Sequence, residues 1–348
     1  MKKVSIEQLV RPIIKEIIPY RSARDEFEDF DAEKIFLDAN ENPFENGFNR
    51  YPDPLQRKLK RTLADIKQVK SEQILLGNGS DEVLDLIFRT FCEPGEEEVL
   101  ILPPTYGMYS VLAKLNNIIV KEVPLNKNFE IEIDSVLEAV NQKTKIIFIC
   151  SPNNPSGNAI PLDQIEQLLD RFKGILVVDE AYIDFSEQKS ALSILDQYPQ
   201  LLVCQTFSKA YGLAGIRLGM CYANPLIIDY FNKIKPPYNV NSLTQSRALA
   251  QLETSESIQN QVISLISDST KLEQELKQFD FVSKIYPSDA NFLLVVVDDA
   301  NKRYDQFLDA GVVLRNRSRL QGCNNALRVT VGTPEENTNF IKICKIID

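Results

Sequence analysis

The segment 206–219 concentrates side chains that could do chemistry. It places Lys209, Arg217 and the hydroxyl of Ser208 in a stretch of small and turn-forming residues. The apolar run 201–204 precedes it and predicts a buried strand. Because ionised side chains are seldom left inside a protein without a partner, an anionic ligand would explain two cations at the end of such a strand. Taken alone, the segment could equally be a solvated loop.

Polar residues also follow other apolar runs. The run 175–179 ends in Asp179, and Tyr182 follows it. Asn154 follows the run 145–150, and Tyr106 follows the run 99–102. A glycine-containing turn at 77–82 leads into a predicted helix, and the free amides at a helix N-terminus form a ready anion site. If these segments converge, an acid, a lysine, an arginine, an asparagine and tyrosines meet beside an anion site.

The elements that must position these groups alternate along the chain. Strands are expected at 74–76, 99–102, 118–123, 145–150, 175–179, 201–204 and 219–222, and helices at 55–66, 83–91, 106–115, 135–140 and 162–172. Nearly continuous apolar strands separated by helices predict an α/β fold with a mostly parallel sheet covered on both faces. Ligands of such sheets bind at the carboxyl ends of the strands.

The pattern changes after Pro236 and Pro237. A long helical stretch is expected at 242–279, then strands at 282–286, 292–297, 312–315 and 327–331, with helices at 302–310 and 335–347. These predict a smaller α+β domain with an antiparallel sheet. We therefore divide the chain into an N-terminal arm (1–36) that joins the small domain, a large domain (37–240) and a small domain (241–348).

Composition excludes several classes of function. A formal charge of −10 and a pI near 4.9 argue against nucleic-acid and anionic-membrane partners. No apolar run reaches the roughly 20 residues that span a bilayer, and the start does not resemble a signal peptide, so a cytoplasmic protein is expected. The chain has no histidine, so proton transfer falls to Lys, Tyr, Asp, Glu or Cys. Its six cysteines lack metal-ligand spacing, and no metal site is predicted.

Pyridoxal 5'-phosphate requires this set of groups. Its aldehyde needs a lysine, its pyridinium nitrogen a carboxylate, its ring an aromatic neighbour, and its phosphate amides and an arginine. Four motifs of the chain resemble the signature of fold-type I aminotransferases. They are Asn-Asn-Pro-Ser-Gly at 153–157, Asp179 with Tyr182, Ser-Lys at 208–209 and Gly-Ile-Arg-Leu-Gly at 215–219. The resemblance covers nearly the whole chain. It implies this cofactor and a sheet of the seven-stranded type.

The resemblance also implies a role for each catalytic residue. Lys209 forms the Schiff base with the cofactor and then moves the proton during catalysis. Asp179 pairs with the pyridinium nitrogen, Asn154 and Tyr182 hydrogen-bond the ring hydroxyl oxygen, and Tyr106 stacks on the ring. The alternatives are a helix cap for Asp179 and ordinary core packing for each tyrosine.

The cofactor phosphate is expected to bind at the end of the site that carries the anion-binding turn. The resemblance implies that the backbone amides of Ser80 and Asp81 hold it together with Ser208 and Arg217, and that Thr206 assists.

Partners and substrate contacts follow from the same resemblance. Tyr51 resembles a residue that reaches the phosphate of the neighbouring subunit, which implies a homodimer; a simple loop position is the alternative. Arg328 resembles the arginine that holds the carboxylate of glutamate or 2-oxoglutarate. The substrate-binding candidates are Tyr20, Asn154, Arg217, Arg315 and Arg328. Arg317 and Arg319 neighbour Arg315, and one of these three arginines could be a solvated strand end.

Flanking motifs at 19–24, 38–43, 50–54, 103–109 and 327–333 narrow the implied activity. They imply transfer of an amino group between L-histidinol phosphate and 2-oxoglutarate, giving imidazole-acetol phosphate and L-glutamate in histidine biosynthesis. The close alternatives are two other enzymes with the same fold: an aminotransferase of aromatic amino acids and a decarboxylase of a phosphorylated amino acid. A non-catalytic regulator that binds the cofactor is a remote one.

Overall fold

Two sheets organise the chain. The computed structural model describes residues 4–20, 22, 24 and 35–348. Parts of the predicted arm and of the 19–24 motif, namely residues 1–3, 21, 23 and 25–34, lie outside the described residues. Among the described helices, none combines the length and apolar character needed to cross a bilayer.

The larger sheet has seven strands. They are β1 (Ile74–Asn78), β2 (Glu98–Ile101), β3 (Ile119–Glu122), β4 (Thr144–Cys150), β5 (Ile175–Asp179), β6 (Leu201–Thr206) and β7 (Leu218–Tyr222). Their spatial order is β1-β7-β6-β5-β4-β2-β3. Strands β3, β2, β4, β5 and β6 pair in parallel, whereas β7 is antiparallel to both β6 and β1. The predicted mostly parallel sheet is confirmed.

Helices cover both faces of this sheet. They are α1 (Ile6–Leu9), α2 (Pro12–Glu16), α3 (Arg57–Lys67), α4 (Ser80–Phe91), α5 (Met108–Leu115), α6 (Ile133–Ala139), α7 (Leu162–Arg171) and α8 (Pro225–Ile234). Side chains alternate between the faces of a strand, so Leu201 and Val203 enter one core cluster while Leu202 and Cys204 enter another. Burial on both faces explains why the central strands β5 and β6 are largely apolar, whereas the edge strand β3 is partly exposed and carries two charged residues.

The helices α1, α2 and α8 were not among the expected elements. Ile6 and Ile14 of the first two are buried in the core cluster that also contains Ile227 of α8. Arg11 forms an ion pair with Glu93 beyond the end of α4. Residues 6–16 therefore contact the helices of the larger sheet, in contrast to the expected arm that joins the small domain. The domain boundaries themselves stay predictions.

The smaller sheet is antiparallel, with the order β10-β11-β9-β8. Its strands are β8 (Val282–Ile285), β9 (Phe292–Val297), β10 (Arg315–Asn316) and β11 (Ala326–Thr330), and the neighbouring helices are α9 (Ser242–Leu252), α10 (Ser255–Leu276), α11 (Ala300–Asp309) and α12 (Pro334–Ile347). The strand expected at 312–315 is wrong, because only two residues pair with β11 and Val313 is 75% exposed. The stretch 242–279 contains two helices instead of one.

Candidate active site

One cavity brings together most of the predicted site. Ten of the predicted residues line it: Ser80, Asp81, Tyr106, Asn154, Asp179, Tyr182, Thr206, Ser208, Lys209 and Arg217. It lies where β4, β5 and β6 end, and the N-terminus of α4 forms part of its wall. The segments converge because parallel strands present their carboxyl ends at one edge of the sheet. A solvated loop at 206–219 is therefore not the arrangement that the structure shows.

Asp179 is the buried acid of the cavity. It is the last residue of β5 and is 4% exposed. Burial raises the pKa of its carboxyl to about 6, while hydrogen bonds from the Tyr109 hydroxyl and the Ala181 amide oppose that rise. The Ala181 amide donates to Oδ1 at 3.2 Å. A carboxylate held in this environment is suited to pairing with a protonated ring nitrogen.

Tyr109 is a site residue to which the sequence reasoning gave no role. Its hydroxyl donates to Asp179 Oδ2 at 2.7 Å, and its ring is fully buried against Phe148 with centroids 4.8 Å apart. Tyr106, three residues earlier, lines the cavity itself. The only sequence signal was the close spacing of the two tyrosines after β2. The residue that accepts the Tyr109 hydrogen bond is 70 positions away in the sequence.

Lys209 follows β6 by three residues and faces the same cavity. Its Nζ lies 5.6 Å from the centroid of the Tyr182 ring. Desolvation lowers the pKa of Lys209, the charges of Arg328 and Arg217 lower it further, and Asp179 opposes them. A lowered pKa increases the fraction of neutral amine, which is the form that acts as a nucleophile or a base.

The N-terminus of α4 forms the anion-binding end of the cavity. Gly79 occupies the N-cap position with φ 82°, and no side chain caps the helix, so its first amides have no side-chain acceptor. A Cβ on Gly79 would meet the Arg217 guanidinium at 2.6 Å, and a Cβ on Gly219 would meet the backbone nitrogen of Ser80. Glycine at these two positions allows the N-terminus of α4, strand β7 and Arg217 to approach one another closely.

Arg217 is held loosely at this end. Its side chain is 49% exposed, and Nη2 lies 3.6 Å from Asp81 Oδ2. Asp81 Oδ1 in turn accepts a hydrogen bond from the Tyr106 hydroxyl at 3.1 Å. At the end of β6, the Ser208 amide donates a hydrogen bond to Thr206 Oγ1 at 3.1 Å, and this bond shapes the turn before Lys209. An exposed, weakly paired guanidinium is free to turn towards a phosphate.

The smaller sheet contacts two residues that line the cavity, Asn154 and Tyr182. Arg328 Nη1 donates to Asn154 Oδ1 at 2.6 Å. The Tyr182 and Phe292 rings meet edge to face with centroids 5.1 Å apart. Tyr182 is 7% exposed, and burial raises the pKa of its hydroxyl to about 12. The Arg328 side chain therefore contacts the lining of the cavity through Asn154, and its role in substrate binding stays a prediction.

Like Arg328, three further predicted residues are absent from the lining of this cavity. Tyr51 stacks on Tyr238 with ring centroids 4.4 Å apart and lines a separate cavity with residues of 39–52 and 238–243. Tyr20 is 76% exposed. Arg315 is exposed and pairs with Arg328 in the β10–β11 ladder. Arg319 is also exposed, whereas Arg317 between them is partly buried.

The residues present fit pyridoxal 5'-phosphate. The cavity offers a lysine amine of lowered pKa, a buried carboxylate, a tyrosine ring, and an uncapped helix N-terminus beside an arginine. These are the groups that its aldehyde, ring nitrogen, ring face and phosphate need. In the part of the chain that the structure describes, no cluster of residues could hold a metal ion.

Comparison with known proteins agrees with this chemistry. The family model described as aminotransferase class I and II matches residues 27–343. The chain belongs to the class I and II aminotransferases, a family that depends on pyridoxal phosphate. Within that family it is similar to histidinol-phosphate aminotransferases. It is 54% identical over 349 residues to the one from Flavobacterium johnsoniae, covering 100% of both chains. It is 56% identical over 348 residues to the one from Christiangramia forsetii, covering 100% of this chain and 99% of that protein.

Solved structures share the fold. The histidinol-phosphate aminotransferase from Clostridium acetobutylicum superposes with a TM-score of 0.80 at 24% identity, covering 86% of this chain and 91% of that one. The histidinol-phosphate aminotransferase from Sinorhizobium meliloti, solved in complex with pyridoxal-5'-phosphate, gives a TM-score of 0.77 at 21% identity, covering 86% and 84%. The predicted fold-type I architecture is confirmed.

Proposed function

We propose that this enzyme transfers an amino group between L-histidinol phosphate and 2-oxoglutarate, giving imidazole-acetol phosphate and L-glutamate. The observation that carries the reaction type is the single cavity in which Lys209, Asp179 and the N-terminus of α4 meet. The substrate assignment is supported by whole-length similarity, above half identity, to enzymes of that name. It corresponds to a step of histidine biosynthesis, for which we propose a cytoplasmic location.

The ends of the cavity would hold different parts of the cofactor. The amides of Ser80 and Asp81 at the start of α4, with Ser208 and Arg217, would bind the phosphate. Asp179 would hold the ring nitrogen, and Tyr106 would cover the ring. When bound, pyridoxal 5'-phosphate supplies an electron-accepting ring that allows an amino group to leave one carbon skeleton and join another.

The residues of the chain provide orientation and proton transfer. Lys209 Nζ, whose pKa is lowered by desolvation, can accept a proton from the substrate carbon that bears the amino group. Asn154 and Tyr182 would orient the ring through its hydroxyl oxygen. The burial of Asp179 and Tyr182 keeps water away from this part of the cavity, which strengthens electrostatic interactions there.

We also propose a homodimer in which Tyr51 reaches the cofactor phosphate of the partner subunit. Several large apolar side chains of the segment 35–51 are exposed in the single chain, including Leu37, Phe44 and Phe48. A subunit interface would bury them. The test is to mix Lys209→Ala with Tyr51→Ala subunits, since a shared site predicts hybrid dimers with one unaltered site. Activity no greater than that of the separate variants would contradict sharing.

A competition assay tests the proposed substrate. Holoenzyme is offered L-histidinol phosphate, L-phenylalanine and O-phospho-L-threonine at equal concentration with 2-oxoglutarate, and each product is quantified. The proposal predicts that imidazole-acetol phosphate dominates. Phenylpyruvate as the main product would identify an aromatic aminotransferase instead. Carbon dioxide released from phosphothreonine would identify a decarboxylase.

A further inference from the structure

A cluster of four charged side chains lies directly beside Tyr51. Glu41 is at its centre, and its Oε2 accepts hydrogen bonds from Arg24 Nη2 at 2.6 Å and from Arg50 Nη1 at 2.9 Å. Arg24 Nη1 also donates to both carboxylate oxygens of Asp38 at 2.5 Å. The side chains of Glu41 and Arg24 are only 3% and 2% exposed, although the residues before and after Glu41 in the chain are exposed. Charged side chains are buried to this extent only when they are paired, and two arginines with two carboxylates satisfy that condition.

The second carboxylate oxygen of Glu41 holds the backbone of Tyr51. The Tyr51 amide donates to Oε1 at 2.7 Å, across ten positions of the sequence. Desolvation raises the pKa of Glu41, but the hydrogen bonds from the Tyr51 amide and Arg50, with the charge of Arg24, outweigh it and lower the pKa overall. The Tyr51 ring is fixed separately, because it stacks on Tyr238 with the two planes 14° apart. Tyr51 is therefore held at its backbone and at its ring, although it is 49% exposed in the single chain.

The charge of Glu41 keeps this arrangement together. Without it, two guanidinium groups would share a single carboxylate, that of Asp38. Removal of one partner from a buried ion pair is strongly destabilising, because the charge that stays behind is no longer compensated. The segment that carries Tyr51 would lose its hydrogen bond to the cluster at the same time.

We propose that Glu41 is a positioning residue, which holds Tyr51 ready to contact the cofactor phosphate of the partner subunit. This inference rests on the proposed homodimer with a shared site. A side chain that must reach into another chain binds better when its backbone is already fixed, because less conformational freedom is lost on contact. Glu41 is absent from the described lining of the cavity that contains Lys209. It would therefore act through Tyr51, and on the site of the partner instead of its own.

Hybrid dimers test this difference between the two sites. One subunit carries Lys209→Ala, so the visible band of the covalently linked cofactor reports only on the other, intact site. Glu41→Gln is placed either in the Lys209→Ala subunit or in the subunit that keeps Lys209, and the cofactor dissociation constant of the intact site is measured. The intact site receives Tyr51 from the Lys209→Ala subunit. Glu41→Gln in that subunit should raise the constant by roughly 10- to 100-fold, which corresponds to the loss of a hydrogen bond to a charged group.

Glu41→Gln in the subunit that keeps Lys209 should leave the constant unchanged. Equal constants in the two arrangements, or a larger effect in this second one, would overturn the proposal. A folding defect in the glutamine chain would impair its own site, which is the opposite of the predicted result. Glu41→Asp keeps the charge and should show a smaller difference in the same direction, and it replaces the glutamine variant if that chain does not fold.

Glu93→Gln is the matched control for the loss of a carboxylate. Glu93 also accepts two hydrogen bonds from an arginine, Arg11, but it lies beyond the C-terminal end of α4, whereas the cavity is at the N-terminal end of that helix. This variant should leave the constant unchanged in both arrangements. An effect equal to that of Glu41→Gln would show that any lost ion pair weakens the site, and would overturn the role of Glu41.

Tyr51→Phe in the same hybrids separates this inference from the shared site itself. If Tyr51→Phe in the Lys209→Ala subunit weakens the intact site and Glu41→Gln does not, the shared site stands and the role of Glu41 is wrong. If Tyr51→Phe has no effect in either arrangement, the shared site is wrong and the role of Glu41 falls with it. The account predicts that both substitutions act only from the Lys209→Ala subunit.

Discussion

Replacing Tyr109 by phenylalanine should move the pH range in which the protein binds its cofactor. Burial raises the pKa of Asp179 to about 6, and the Tyr109 hydroxyl, 2.7 Å from Oδ2, acts against that rise by favouring the carboxylate. A hydrogen bond to a charged group contributes about 1.5–3 kcal/mol, and one pKa unit corresponds to about 1.4 kcal/mol. Tyr109→Phe should therefore raise the pKa of Asp179 by about one to two units.

The consequence for binding follows from the sign of this shift. Asp179 pairs with a protonated ring nitrogen only as a carboxylate, so affinity falls as the pH drops below the pKa of Asp179. In Tyr109→Phe the fall should begin about one to two pH units higher than in the unaltered protein. The assay reconstitutes cofactor-free protein across a pH series and follows the visible absorbance of the bound cofactor.

Tyr222→Phe is the matched control for this experiment. Tyr222 is also fully buried, but its hydroxyl contacts Met220 Sδ instead of a carboxylate. Titration of the cofactor itself affects all three proteins equally and cancels in the comparison. The control should keep the midpoint of the unaltered protein. Identical midpoints in Tyr109→Phe and Tyr222→Phe would refute the role assigned to Tyr109.

Three further substitutions test separate parts of the site. Lys209→Ala should abolish the visible band that depends on a covalent link to the cofactor, and a persisting band would show that another residue forms the link. Arg217→Ala should weaken cofactor binding by roughly 10- to 100-fold in equilibrium titrations, because it removes a charged contact to the phosphate; unchanged affinity would assign Arg217 to its Asp81 pair alone. Gly219→Ala should destabilise the protein by about 1–3 kcal/mol in urea unfolding, since the new methyl meets the Ser80 backbone; unaltered stability would contradict the close approach.

The sequence predicted the parts of the site that lie at strand ends. Lys209 and Asp179 stand out because charged residues follow long apolar runs, and the glycines near Ser80 mark a strand that turns sharply into a helix. Apolar runs that alternate with helical patterns are sufficient to indicate a parallel sheet and the edge where its ligands bind.

Features that depend on contacts across the fold could not be predicted in this way. The role of Tyr109 depends on a hydrogen bond to a distant strand. The partly buried position of Arg317, between the exposed Arg315 and Arg319, depends on how a two-residue strand pairs with β11. Helix α8 begins with Asn224 and Pro225, a pair that is typical of a helix start. It was nevertheless missed, because its apolar residues follow the apolar strand β7 closely and the sequence pattern does not separate the two elements. The role of Tyr51 stays a prediction because it concerns a second subunit.

The most direct test of the account is a single half-reaction. Holoenzyme is mixed with L-histidinol phosphate in the absence of 2-oxoglutarate, and the visible absorbance of the bound cofactor is followed with time. The account predicts that the band is lost with the release of one imidazole-acetol phosphate per active site, and that 2-oxoglutarate then restores it with formation of L-glutamate. A band that L-histidinol phosphate leaves unchanged, while another amino donor discharges it, would contradict the proposed function.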